Sequence, residues 1–212
     1  KWDKFNKKVL FLTFGVRNYI EPYLYPQYPD LNWNKLLSDS EEVIFQFAKN
    51  NPSILVFYKM GHIEDHNEEF IKKCQNNNLN NIVTLDRSFP CNELILYSDL
   101  IIGFQTTAMF EAMFSDKTIF YLYWAISDIL DRKTQLLPIA DSEACTVINS
   151  KEDFYNSITS WSNGDIKFAK PSQKELNNRK ITREIMFYNA DGNVAERYHN
   201  EINEIIESKA NL

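Results

Sequence analysis

Short runs of consecutive apolar residues alternate along the chain with longer stretches in which apolar residues recur every three or four positions. The runs are Val9-Leu10-Phe11-Leu12-Thr13-Phe14, Ile54-Leu55-Val56-Phe57-Tyr58, Ile82-Val83-Thr84-Leu85, Leu100-Ile101-Ile102-Gly103-Phe104 and Thr118 to Tyr123. A strand covered on both faces reads this way, because neither face needs polar residues. Between the runs, Trp33 to Asn50 carries Leu36, Leu37, Val43, Ile44, Phe47 and Ala48 at helical spacing. Asp65 to Asn77 predicts a helix with Phe70, Ile71 and Cys74 on one face, and Thr107 to Phe114 predicts another. Cys91 to Tyr97 is a short helix opened by Pro90, whose missing N–H is harmless in a first turn. Further on, Cys145 to Ile148 predicts a sixth short strand and Glu152 to Trp161 a helix. Gln173 to Phe187 and Asn193 to Ser208 predict two more helices, divided by Asn189-Ala190-Asp191-Gly192. Residues 16–32 hold Pro22, Pro26 and Pro29 among four tyrosines and are expected to form a long loop. Residues 125–144 show no periodicity that assigns them.

Strands alternating with helices through residue 124 predict an α/β chain: a Rossmann-like, doubly wound parallel sheet with helices on both faces. No internal repeat or low-complexity tract divides the chain. Residues 1–212 are therefore expected to form one nucleotide-binding domain, with extra carboxy-terminal helices at about 173–208 packing on it.

Composition narrows the partners. The 212 residues are 44% hydrophobic and 25% charged, the balance of an ordinary globular chain. The formal net charge of −6 gives no overall attraction to a phosphate backbone, so nucleic acid is not an expected partner. A local basic pocket for a small anion remains compatible with it. Cys74, Cys91 and Cys145 form no CxxC pair, so no zinc site is expected. They read as small packed hydrophobes in a reducing compartment. No run of 18 apolar residues predicts a membrane span, and no signal-type apolar stretch follows Lys1 to Lys8. The first residue is not Met, from which an excised piece of something longer is expected.

Ligands of a parallel sheet bind beyond the carboxyl ends of its strands. Four positions qualify: Gly15 to Arg17, Lys59 to His62, Asp86 to Phe89 and Gln105 to Thr107. The last is the most informative. Strand four enters a helix through Gly103-Phe104-Gln105-Thr106-Thr107, where backbone N–H groups are free and the helix dipole favours an anion. Thr106 and Thr107 add hydroxyls. Glu111, one turn on, shares a helix edge with Thr107 and is placed to accept both hydroxyls of a ribose. The same residues also read as an ordinary helix cap followed by a solvated glutamate. Lys59 and His62 make a positive pair for a phosphate, with His62 able to move a proton; a surface Lys and a capping His is the competing reading. Arg17 is a third candidate cation. His66, His199 and the Asp128–Lys133 cluster read as surface groups. No Walker A, GxGxxG or GxSxG pattern is present.

Ser98-Asp99-Leu100-Ile101-Ile102-Gly103-Phe104-Gln105-Thr106-Thr107-Ala108-Met109-Phe110-Glu111-Ala112, continuing to Ile119, resembles a segment of the carboxy-terminal lobe of two-lobed (GT-B) glycosyltransferases. Similar enzymes include capsule and lipopolysaccharide sugar transferases, the CDP-glycerol glycerophosphotransferases of teichoic-acid synthesis and UDP-N-acetylglucosamine 2-epimerases. Lys59-Met60-Gly61-His62 is similar to the Lys-Pro-His-Pro segment of the transferase branch, with both prolines missing. Asp191-Gly192-Asn193-Val194-Ala195-Glu196-Arg197 looks like a carboxy-terminal segment of surface-carbohydrate proteins, and the resemblance allows Arg197 to face the cleft.

The resemblance implies a donor-binding lobe for a UDP-, CDP- or CMP-linked sugar or polyol. Arg17, Lys59, His62, Gln105, Thr106, Thr107 and Glu111 would form its donor site, with His62 as the candidate catalytic residue. No cofactor and no metal are expected. The carbohydrate acceptor would meet an amino-terminal lobe that 212 residues have no room for. The isolated chain is therefore expected to bind nucleotide without full turnover, in the cytoplasm, with the full-length protein at the inner face of the membrane. The alternatives are an epimerase lobe and a non-catalytic nucleotide-binding or interaction domain.

Overall fold

The structure, a computed structural model, describes residues 2–14, 34–60, 68–124, 137–187 and 191–210. Its strands are β1 (Lys7–Leu12), β2 (Ile54–Lys59), β3 (Ile82–Leu85), β4 (Leu100–Gly103), β5 (Thr118–Leu122) and β6 (Thr146–Ile148). They form one sheet in the order β3-β2-β1-β4-β5-β6, and every neighbouring pair is parallel. The helices α1 (Asn34–Asn50), α2 (Glu68–Asn76), α3 (Cys91–Tyr97) and α4 (Ala108–Ala112) lie between strands. After β6 come α5 (Lys151–Ser162), α6 (Ile166–Ala169), α7 (Gln173–Phe187) and α8 (Val194–Ala210).

The continuous apolar runs are the interior strands. Every residue of β2, β4 and β5 is buried, and β1 is buried from Val9 onward. The edge strands β3 and β6 are mostly half-buried. Each fully buried Leu, Ile or Phe contributes roughly 1.5–3 kcal/mol by leaving water, so these four strands supply most of the drive to fold. The chain builds outward from β1 to β3, then returns through α3 to lay β4 on the other side of β1. Right-handed crossovers put α1 and α2 on one face and α3 and α4 on the other. In keeping with this, α1 packs on α5 and α3 on α4.

The doubly wound sheet predicted from the sequence is thus present. Differences lie at element ends. β1 starts at Lys7, which pairs with Ile54, and stops at Leu12; Phe14 leaves the ladder and sets its ring 5.2 Å from that of Phe104. The helix expected over Thr107–Phe114 is a five-residue helix flanked by turns. α6 was not legible, since four residues carry no period; Asp165 starts it by accepting from the Lys167 N–H.

The carboxy-terminal part is held by Arg179 of α7, which is fully buried. Its Nε donates to the Ala144 carbonyl at 2.8 Å, and its Nη1 donates to the carbonyls of Ser115 and Lys117, each at 2.9 Å. The Asp191–Arg197 segment shapes the start of α8. Asp191 accepts from the Asn193 N–H and, with both carboxylate oxygens, from Arg197 at 2.6 and 2.8 Å, while Gly192 takes φ +83°. Cys74 and Cys145 are buried and Cys91 is half-buried, all as free thiols. Burial pushes Cys74 up to about 11 and Cys145 up to about 12. No helix among the described residues is long and apolar enough to cross a membrane.

Candidate functional site

The strand order reverses between β1 and β4, and a crevice at such a point opens beyond the carboxyl ends of both strands. Its floor is apolar. Leu12, Phe14, Gly103 and Phe104 close it, and the Phe104 ring stacks 5.6 Å from that of Tyr121. Gly103 is needed for the close approach. A Cβ there would stand 2.8 Å from Met109 Sδ and 3.2 Å from Leu12 Cβ.

Beyond Gly103 the chain turns through Phe104-Gln105-Thr106-Thr107. Gln105 has φ +38°, a conformation that non-glycine residues adopt at a cost on the order of 1 kcal/mol. Its side chain explains how the turn is held. Gln105 Nε2 donates to the Tyr121 hydroxyl at 2.6 Å, and Gln105 Oε1 accepts from the Leu137 N–H at 2.9 Å. The protein thus uses one N–H and one oxygen lone pair of the amide and leaves one of each.

The two threonines behave differently. Thr106 Oγ1 accepts from the Ala108 N–H at a long 3.4 Å. Thr107 occupies the cap position of α4 but has helical backbone angles and no side-chain cap bond. The N–H groups of Thr106 and Thr107 donate to none of the described residues. Glu111 is exposed one turn along, and its N–H donates to the Thr107 carbonyl at 3.3 Å, which stacks the two residues on one edge. The structure thus brings together uncommitted N–H groups, a hydroxyl and a carboxylate at the switch point.

Lys59 ends β2 and is only 9% exposed. Its ammonium donates to the Asp86 carbonyl at 2.8 Å and the Met60 carbonyl at 3.3 Å, and no carboxylate pairs with it among the described residues. Its ammonium is held by carbonyl dipoles, with the Asp86 carboxylate near enough to feel its charge, and an incoming anion would add to this compensation. Cys91 opens α3 and is half-buried. Burial first, then the Glu111 carboxylate, push its thiol up to about 11, while Lys59 pulls it down.

Thr106, Thr107, Glu111, Gln105 and Lys59 therefore gather at one end of the sheet. Arg17 and His62 lie outside the described residues, as do His66, the 16–32 loop and the Asp128–Lys133 cluster. Sequence reasoning missed Cys91, which lines this end, and Tyr121, which holds Gln105; neither carried a motif. Both stand where a strand or a loop enters the carboxyl end, and that placement was the available signal. Among the described residues no three of His, Cys, Asp and Glu could hold a metal. A cavity of about 600 Å³ lies at the opposite, amino edge, lined by residues such as Lys7, Asp99, Lys117 and Trp161.

No known family model matches the chain, and no curated protein matches it. Solved structures do. TarM from S. aureus, solved with UDP and a GlcNAc-glycerol, aligns with 92% of this chain and 35% of its own at 16% identity and a TM-score of 0.55. HepE from Anabaena, in complex with UDP and glucose, aligns with 96% of this chain and 48% of its own at 12% identity and 0.53. A UDP-N-acetylglucosamine 2-epimerase aligns with 88% of this chain and 44% of its own at 11% identity and 0.51. At these identities the likeness is one of fold. The chain has the Rossmann-like fold of a single GT-B lobe, shared with glycosyltransferases and UDP-N-acetylglucosamine 2-epimerases. It spans less than half the length of these proteins.

Proposed function

We propose that this chain is the donor-nucleotide-binding lobe of a glycosyltransferase or polyol-phosphate transferase of surface polysaccharide synthesis. One observation carries the reading: the N–H groups of Thr106 and Thr107 and the uncapped Thr107 hydroxyl stand one helical turn from Glu111, at the switch point of the sheet. In this reading the donor phosphate accepts from those groups and Glu111 accepts from the ribose hydroxyls. An acceptor hydroxyl attacks the anomeric carbon of the sugar, or the phosphorus of the polyol phosphate, and gives up its proton to a base; the bond from that atom to the nucleotide phosphate breaks, and the leaving nucleotide phosphate gathers negative charge. Fixed N–H donors and the Lys59 charge stabilise that charge without rearranging. Gln105 shapes the strained turn, and its amide keeps one N–H and one oxygen lone pair for the donor. Arg17 and His62 complete the cationic side, with His62 handling a proton, and no resident metal or cofactor is assigned.

The donor is a UDP-, CDP- or CMP-linked sugar or polyol; UDP heads the list because TarM and HepE were solved with it. The acceptor and the catalytic base belong to a second lobe, and the work is done in the cytoplasm beside the membrane. Epimerases share the fold, so a sugar-nucleotide epimerase lobe is the second reading. Calorimetric titration with UDP, CDP, CMP and GDP tests the nucleotide part. Saturable binding of a pyrimidine nucleotide is expected, and binding of none would favour a non-catalytic scaffold. Sugar transfer assayed with these 212 residues alone should be absent or feeble; full transfer would overturn the half-site reading.

A further inference from the structure

Glu111 is exposed, and its carboxylate makes no hydrogen bond or ion pair with a described side chain. Its position is therefore set by the backbone beneath it. That backbone is α4, a helix of five residues, far below the length at which a helix holds itself. Something must fix it from outside. One side is fixed by the sheet, where Met109 meets Gly103. The other side meets α7. The Phe187 ring lies 6.4 Å from Phe110 and 5.5 Å from Phe114, edge-on to both. The Arg183 guanidinium covers Phe114 at 5.0 Å. Below them, Arg179 ties α7 to the carbonyls of Ser115 and Lys117, in the turn that leads from α4 into β5. So α7 grips the segment at both ends, and Phe110, the neighbour of Glu111, is held between sheet and strut.

We infer that α7 is a positioning strut for the ribose-binding carboxylate, with Phe187 as the residue that transmits its support to Glu111. This rests on the nucleotide reading above. It goes beyond that reading by making ribose recognition depend on a ring that no ligand touches. Edge-to-face ring pairs of this kind contribute about 0.5–1.5 kcal/mol each, enough to decide between one turn geometry and a frayed one.

The test compares UDP with 2′,3′-dideoxy-UDP, and uses inorganic pyrophosphate as a control that lacks ribose. Wild type should prefer UDP by about tenfold, the worth of one charge-assisted hydrogen bond. Phe187→Ala should bring that preference to about twofold or less while leaving pyrophosphate binding unchanged. Phe187→Leu should restore most of the preference. Phe187 is 43% exposed, so its truncation spares the core. Arg183→Gln gives a second variant on the surface, with a smaller loss in the same direction. A folded Phe187→Ala protein that keeps the wild-type preference would overturn the strut, as would a lowered melting temperature with the preference intact. Absence of any preference in wild type would instead sink the ribose role of Glu111, which is a different failure.

Discussion

The two edges of the sheet are built from similar residues and use them differently. At the amino edge polar groups are spent on the protein. Lys7 donates to the carbonyls of Trp161 and Ser162 at 3.0 Å each, Asp99 accepts from the Lys8 N–H at 2.8 Å, and Thr118 donates to the Phe168 carbonyl at 2.8 Å. Arg179 serves three carbonyls, with only its Nη2 left unpartnered. At the carboxyl edge the Thr107 hydroxyl and the Glu111 carboxylate are uncommitted among the described residues, Lys59 forms no ion pair with a described carboxylate, and Gln105 holds a strained turn. A cavity of about 600 Å³ lies at the amino edge, while the unspent chemistry of the described residues is at the other. Hydrogen-bonded groups stabilise the fold, whereas exposed groups without a partner are open to a ligand.

The comparison can be broken by substitution. Arg179→Ala leaves three carbonyls without their donor, and stability should fall by roughly 3–5 kcal/mol in urea unfolding. A loss below about 1 kcal/mol would show that the clamp is ornamental.

The next effect is pH-dependent. Tyr58, the neighbour of Lys59, donates its hydroxyl to the Glu41 carboxyl. Burial lifts Glu41 to about 7, although the Tyr58 hydrogen bond and the Lys73 charge act to lower it. The folded chain then holds this proton more tightly than the unfolded chain, whose value is near 4.5. Glu41 therefore favours the fold most in acid, and stability falls as pH rises from about 4.5 through about 7, by on the order of 3 kcal/mol. Glu41→Gln should remove this fall and stabilise the protein at about pH 8, as read from urea midpoints at about pH 5 and about pH 8. An unchanged slope would assign the dependence to another group.

Gly103→Ala follows in size. The added methyl meets Met109 and Leu12, at a cost of roughly 1–3 kcal/mol in thermal unfolding. Nucleotide affinity should fall with it, since the turn bearing Thr106 and Thr107 must shift. Smallest in energy is Glu111→Ala, with ribonucleotide affinity reduced by about tenfold and stability unchanged. Unchanged affinity would remove Glu111 from the site.

The sheet was legible in the sequence because its interior strands are buried on both faces, so Ile54–Tyr58 and Leu100–Phe104 show no polar interruption. Helix ends were less legible. The stretch from Thr107 to Phe114 has helical spacing, but after Ala112 it continues as turns, in which the Met113, Phe114 and Ser115 N–H groups donate three residues back to the Phe110, Glu111 and Ala112 carbonyls. At the site, Thr106, Thr107 and Glu111 were found because a strand-to-helix entry has a recognisable spacing. The commitment of Gln105 to Tyr121 and Leu137 was hidden, because those partners lie 16 and 32 residues away in sequence. The opposing pulls of Glu111 and Lys59 on Cys91 were hidden in the same way, since three separate elements supply them.

The most direct test follows backbone amides of the labelled chain by NMR as UDP is added. The Thr106 and Thr107 resonances, with those of Ala108 and Glu111, should move saturably, while Asn6, Asp99 and Lys117 at the amino-edge cavity stay still. Saturable shifts confined to the amino edge, with Thr106 and Thr107 unmoved, would contradict the account.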